Sequence, residues 1–130
     1  EDAGQPHLLA GAEAFRAGHF DRALVEFEVA QKLGAGPAAR WYAAATLQKL
    51  GRAGEAVEAF AQAAHEDPKG HDPLLDYYRA MALYDARLYL AADAALAGLA
   101  STAGPKVAGL AAHVRAQIAT SFAREPAANA

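Results

Sequence analysis

Three stretches of the 130-residue chain repeat one pattern: a turn residue, an alanine five positions on, and a bulky apolar residue four further on. They are Gly18, Ala23 and Phe27; Gly51, Ala56 and Phe60; and Arg87, Ala92 and Leu96. The three alanines stand 33 and 36 residues apart. A unit of this length cannot bury an apolar face alone, and copies in phase point to helical hairpins stacked on one another. The residue inventory agrees. Alanine accounts for 38 residues, while Val, Ile and Thr together number nine. Alanine is the residue least costly to a helix and β-branched residues suit pleated surfaces, so an all-α chain is expected.

Each unit reads as two helices. In the first, Leu8, Leu9 and Phe15 mark helix A, and Ala17-Gly18-His19 makes the turn. Helix B then carries Phe20, Leu24, Phe27, Ala30 and Leu33 at three- and four-residue spacing. Gly34 stops that helix, and Gly36-Pro37 opens the next, since proline suits a first helical turn. The second unit has helices over 37–50 and 53–66, ended by Asp67-Pro68-Lys69-Gly70. Asp72-Pro73 opens the third, with helices over 73–86 and 89–100. The expected units are therefore 6–35, 37–68 and 73–100. After the break at Ser101 to Pro105 comes one more helix, 105–124, with an apolar stripe of Val107, Leu110, Ala111, Val114, Ile118 and Phe122. It reads as a cap on the stack or the start of a further repeat. Glu125-Pro126 should end it and leave 125–130 as a frayed tail.

Other bulk features restrict function. A formal charge of -3 is not the concentrated positive charge of a nucleic-acid binder. Without cysteine there is no disulfide frame and no thiolate metal site. The uncharged stretch from Ala94 to Pro105 is too short to span a bilayer, so no direct membrane insertion is expected. A start at Glu1 in place of methionine reads as a processed protein or a cut fragment, with removal of a leader as one expectation. The compartment is left open between cytoplasm and periplasm. His7, His19, His65, His71 and His113 include no i, i+4 pair and no HExxH, so no metal ligand set is expected. Gly34-Ala35-Gly36-Pro37 lacks the Lys-Ser/Thr of a phosphate loop, and Ser101, Thr102, Ser121 and Thr46 have no evident base beside them. Glu55 and Glu58 suit the start of a helix, where carboxylates favour the dipole, better than acid–base chemistry. These absences argue against an enzyme and imply no cofactor. Richness in Ala, Gly and Arg fits a GC-rich bacterial genome.

The phased residues resemble the tetratricopeptide repeat (TPR) family. The match comprises Gly11, Phe20, Ala23, Phe27 and Ala30 in the first unit; Ala44, Leu47, Ala56, Phe60, Ala63 and Pro68 in the second; and Ala80, Tyr89 and Ala92 in the third. Leu96 and Leu99 stand where phenylalanine and alanine are usual, which makes the third unit the weakest match. The resemblance implies a right-handed α-solenoid of three antiparallel hairpins plus a capping helix. It also implies a non-enzymatic scaffold whose concave groove, lined by the A helices, binds an extended peptide or a helix of a partner protein.

Carried onto this chain, the groove residues are Leu8, Phe15 and Arg16 in the first unit, with Leu9 and Ala12 beside them. The second contributes Trp41, Tyr42, Gln48 and Lys49, and the third Leu74, Tyr77, Tyr78, Met81, Tyr84 and Asp85. Four of the five tyrosines and the sole tryptophan thus fall in A helices, and such side chains suit half-wet recognition surfaces. The plainer reading is that these aromatics only pack between hairpins. One TPR subtype grips a terminal carboxylate, but the matching positions here, Leu8, Ala12, Ala45, Leu74 and Tyr78, cannot supply that clamp. An apolar, aromatic groove edged by Arg16, Lys49 and Asp85 is expected instead. Two alternatives stand beside it: a bacterial secretion-type chaperone for hydrophobic cargo, and a piece of a longer TPR assembly protein. Self-association is a minor variant.

Overall fold

A computed structural model describes residues 3–68 and 72–129, with side chains in the last helix only as far as Phe122. The described residues form seven α-helices and no strand: α1 (Gln5–Arg16), α2 (Phe20–Lys32), α3 (Pro37–Lys49), α4 (Ala53–Glu66), α5 (Pro73–Asp85), α6 (Tyr89–Thr102) and α7 (Pro105–Asn129). The described chain is all-helical.

The turns that follow the odd-numbered helices α1, α3 and α5 share one geometry. After α1, the N–H of Gly18 donates to the carbonyl of Phe15 and that of His19 to Ala14. After α3, Gly51 donates to Gln48 and Arg52 to Leu47; after α5, Arg87 donates to Tyr84 and Leu88 to Leu83. This pair of bonds closes a helix only when the residue after its cap is left-handed. Gly18 (φ 81°), Gly51 (φ 78°) and Arg87 (φ 66°) meet that requirement. The next residue then opens the following helix with nearly the same backbone each time, at φ/ψ of -88°/70°, -92°/65° and -92°/67°. Proline at the first turn starts α1, α3 and α5, and Asp72 caps α5 by accepting from the Leu74 N–H at 2.9 Å.

The phase alanines Ala23, Ala56 and Ala92 are fully buried, as are the larger residues one turn on, Phe27, Phe60 and Leu96. A methyl side chain lets two helix backbones approach, and the bulky neighbour fills the space beside the crossing. Burial divides into three clusters. The first joins Ala14, Leu24 and Phe27 to Ala43; the second joins Trp41, Phe60 and Leu75; the third joins Ala80, Leu96, Val114 and Ile118. Each cluster is thus made by one hairpin and the first helix after it. Among the described residues each helix touches its neighbours in sequence, and α1·α3, α3·α5 and α5·α7 touch as well. Among the described residues no two helices more than two places apart approach at the backbone, although the Phe15 ring of α1 reaches Tyr78 of α5.

One expectation about α7 is corrected. The helix runs on through Pro126 to Asn129, not to a stop near Arg124; Ala130 lies outside the described residues. Proline removes one N–H donor, and in a last turn the carbonyl it leaves can face water. Of its apolar stripe only Ala111, Val114 and Ile118 are buried, while Leu110 and Phe122 are exposed, because α7 packs only on α5 and α6.

Candidate functional site

Alternate helices α1, α3 and α5 lie side by side, and a cleft of about 210 Å³ opens between them. Ala12, Phe15 and Arg16 line it from α1, Tyr42 from α3, and Leu74, Leu75 and Tyr78 from α5, with Asp72 at the start of α5. The spacing follows from the helical period: Phe15 and Arg16 end α1, whereas Leu74 and Tyr78 are four apart on one face of α5. The aromatic rings are mutually braced. Phe15 meets Phe20 edge-on at 5.3 Å and Tyr78 at 6.0 Å, and Tyr42 stacks on the buried Phe27 at 5.4 Å with the planes 17° apart. A ring held on two sides gives up little freedom when a third surface covers it.

Five of the thirteen expected groove residues therefore meet in one place: Phe15, Arg16, Tyr42, Leu74 and Tyr78. Three more adjoin it. Lys49 Nζ sits 4.4 Å from the centre of the Tyr78 ring, and Gln48 donates from Nε2 to Asp85 Oδ2 at 3.0 Å, joining α3 to α5. The acceptor of that amide, Gln48 Oε1, is buried without a hydrogen-bond partner.

The remaining expected residues lie elsewhere. Trp41 is 1% exposed and packs against Phe60 of α4 at 5.8 Å, so it is core and not groove. The reason is positional: α3 is covered by α1, α2, α4 and α5, leaving it a narrow free face that Tyr42 takes. Tyr77, Met81 and Tyr84 pack on the cluster shared with α6 and α7. Tyr84 meets Tyr89 edge-on at 5.4 Å. Leu8 packs on the first cluster, and Leu9 is exposed. Leu75, which helical spacing points away from the groove face, forms part of the cleft. Asp72 was also outside the expected set, although an Asp-Pro pair at a helix start marks it as a cap.

Burial raises the phenol pKa of both Tyr77 and Tyr78 above the ordinary 10.0, and for Tyr78 the nearby Tyr77 and Asp72 push the same way. Away from the cleft, His7 Nδ1 lies 2.8 Å from Glu26 Oε1, tying α1 to α2. Glu55 holds Arg52 through two hydrogen bonds at 2.7 and 2.8 Å, which lowers the Glu55 pKa. Among the described residues no three His, Asp or Glu side chains gather as a metal site, and no helix is long and apolar enough to cross a membrane.

No protein-family model, curated protein or solved structure matches the chain.

Proposed function

We propose that the chain is a TPR-like right-handed solenoid of three hairpins capped by α7. In this reading it is a non-enzymatic scaffold that seats an apolar segment of a partner protein between α1, α3 and α5. Support for the solenoid comes from backbone approach confined to next and next-but-one helices and from three hairpin turns of one conformation. A single observation carries the binding reading: Phe15, Tyr42, Leu74 and Tyr78 reach one cleft from three successive odd-numbered helices. Concave sites with braced aromatic walls and a few polar groups at the rim are where proteins take ligands.

The test is selection of a displayed peptide library on the folded protein. Enriched peptides should carry a bulky apolar residue at a common position and perturb backbone amides around residues 12–16, 42 and 74–78. Tyr78→Ala and Phe15→Ala should weaken the selected peptides by about tenfold or more, as loss of a central aromatic anchor does. Selected peptides that perturb only α6 and α7 would remove the assignment.

A second reading, a piece of a longer assembly, draws on the other end of the structure. There Leu90, 78% exposed, and Phe122 border a hollow of about 410 Å³ between α6 and α7. A large exposed leucine beside an open ring is a surface that a further helix would cover. Blocking this end with Leu90→Glu should leave cleft binding intact and abolish any association through α7.

A further inference from the structure

We propose that the occupant of the α1–α3–α5 cleft is an acidic–aromatic peptide segment: one large apolar side chain in the cleft, with an adjacent carboxylate held by Arg16. This deepens the groove reading and rests on it. Size sets the first half. A cavity of roughly 150 Å³ with apolar walls accommodates benzene. At about 210 Å³ this cleft suits a single aromatic or branched side chain, not the whole apolar face of a helix.

Charge sets the second half. Four charged side chains stand in or beside the cleft: Arg16 and Asp72 line it, Lys49 lies over Tyr78, and Asp85 faces Gln48. Both carboxylates already accept hydrogen bonds within the protein. Asp72 Oδ1 takes the Leu74 N–H at 2.9 Å, and Asp85 Oδ2 takes the Gln48 amide at 3.0 Å. Neither cation is so engaged: among the described residues Arg16 and Lys49 have no carboxylate partner. Among the described residues, the charged side chains at the rim that make no hydrogen bond within the protein are therefore the two cations. Arg16 presents a planar fork that matches a carboxylate in a bidentate way, and the Lys49 ammonium adds positive potential beside the Tyr78 ring. The Asp72 charge, left in place by its capping bond, turns away a second anion and directs the carboxylate to the α1 side.

The experiment titrates the isotope-labelled 130-residue chain with terminally blocked hexapeptides and follows backbone amide shifts. The probes contain Phe-Glu, Phe-Gln or Ser-Glu at their centre. The expected result is that Phe-Glu shifts amides at residues 12–16, 42 and 74–78 and binds about five- to tenfold tighter than Phe-Gln, as a charge-assisted contact of ~1 kcal/mol gives. Added salt should shrink the difference. Arg16→Gln should equalise Phe-Glu and Phe-Gln, and Arg16→Lys should restore part of the preference; Arg16 is exposed, so both variants keep the core intact. Equal binding of Phe-Glu and Phe-Gln at the cleft overturns the acidic requirement and leaves the groove reading standing. Absence of cleft shifts with both phenylalanine peptides overturns the two together. Binding of Ser-Glu as strong as Phe-Glu overturns the apolar anchor.

Discussion

Gly11 lacks a side chain where the ring of Phe27 needs the space. A Cβ on Gly11 would lie 2.6 Å from Phe27 Cε1 and 2.7 Å from Cδ1. Phe27 is fully buried and stacked on Tyr42, so it cannot yield by turning outward. In the second hairpin the residue in phase with Gly11 is Ala44, and Phe60 stands in phase with Phe27. The first hairpin is thus drawn closer at its crossing than an alanine allows.

Gly11→Ala should therefore destabilise the fold, although alanine is the better helix residue. Overpacking a tight core costs about 1–3 kcal/mol, against roughly 1 kcal/mol gained in helix propensity. The net expectation is a loss of up to about 2 kcal/mol by urea denaturation. A stability equal to or above that of the parent would show that α1 and α2 can separate freely.

Arg87 presents the opposite case. It occupies the left-handed position of the third hairpin turn at φ 66°, where the first two turns use Gly18 and Gly51. A side chain in that conformation costs about 1–2 kcal/mol, which glycine avoids while losing somewhat more chain entropy on folding. Arg87→Gly should stabilise by about 0.5–1 kcal/mol, read as a higher denaturation midpoint with unchanged slope. A lower midpoint would mean that Arg87 makes a compensating contact.

The sole tryptophan provides a spectroscopic test of where α3 faces. Trp41 is closed off by Phe60, so its emission should be blue-shifted and shielded from an aqueous quencher, and should move to the red on unfolding. Trp41→Ala should cost about 3–5 kcal/mol, the range for emptying a large aromatic site. Ready quenching in the native protein would place Trp41 on an open surface.

How much of this was legible depends on the range of the signal. Turn residues at 18, 51 and 87 and alanines at 23, 56 and 92 are local and repeated, so the helices and the buried crossings follow from spacing alone. The faces of α3 and α5 depend instead on which helices lie beside them. Trp41 and Tyr42 are adjacent in sequence and about a quarter-turn apart, yet α4 covers one and leaves the other at the cleft. Tyr77 and Tyr78 divide in the same way, toward α7 and toward α1 respectively. Aromatic content in an A helix marks both destinations equally; only the neighbouring hairpin separates them. The continuation of α7 past Pro126 was also beyond local rules, which count the missing donor but not where the freed carbonyl points.

Alkaline pH should act on the same pair of tyrosines. Burial holds the Tyr77 and Tyr78 phenols above the ordinary 10.0, so the folded protein binds those protons more tightly than the unfolded chain. The sign follows from linkage: the stabilisation is whole below about pH 10 and is lost as pH rises through the raised values, when the unfolded chain releases its protons first. Tyrosinate absorbance should therefore contain a late-titrating fraction that disappears on unfolding in denaturant. Tyr78→Phe should remove part of that fraction and make stability less sensitive to pH above 10, without altering it near neutrality through this linkage. An occupant of the cleft covers Tyr78 further, so a bound Phe-Glu peptide should delay the titration again, while an unchanged curve at saturation would place the peptide away from that ring.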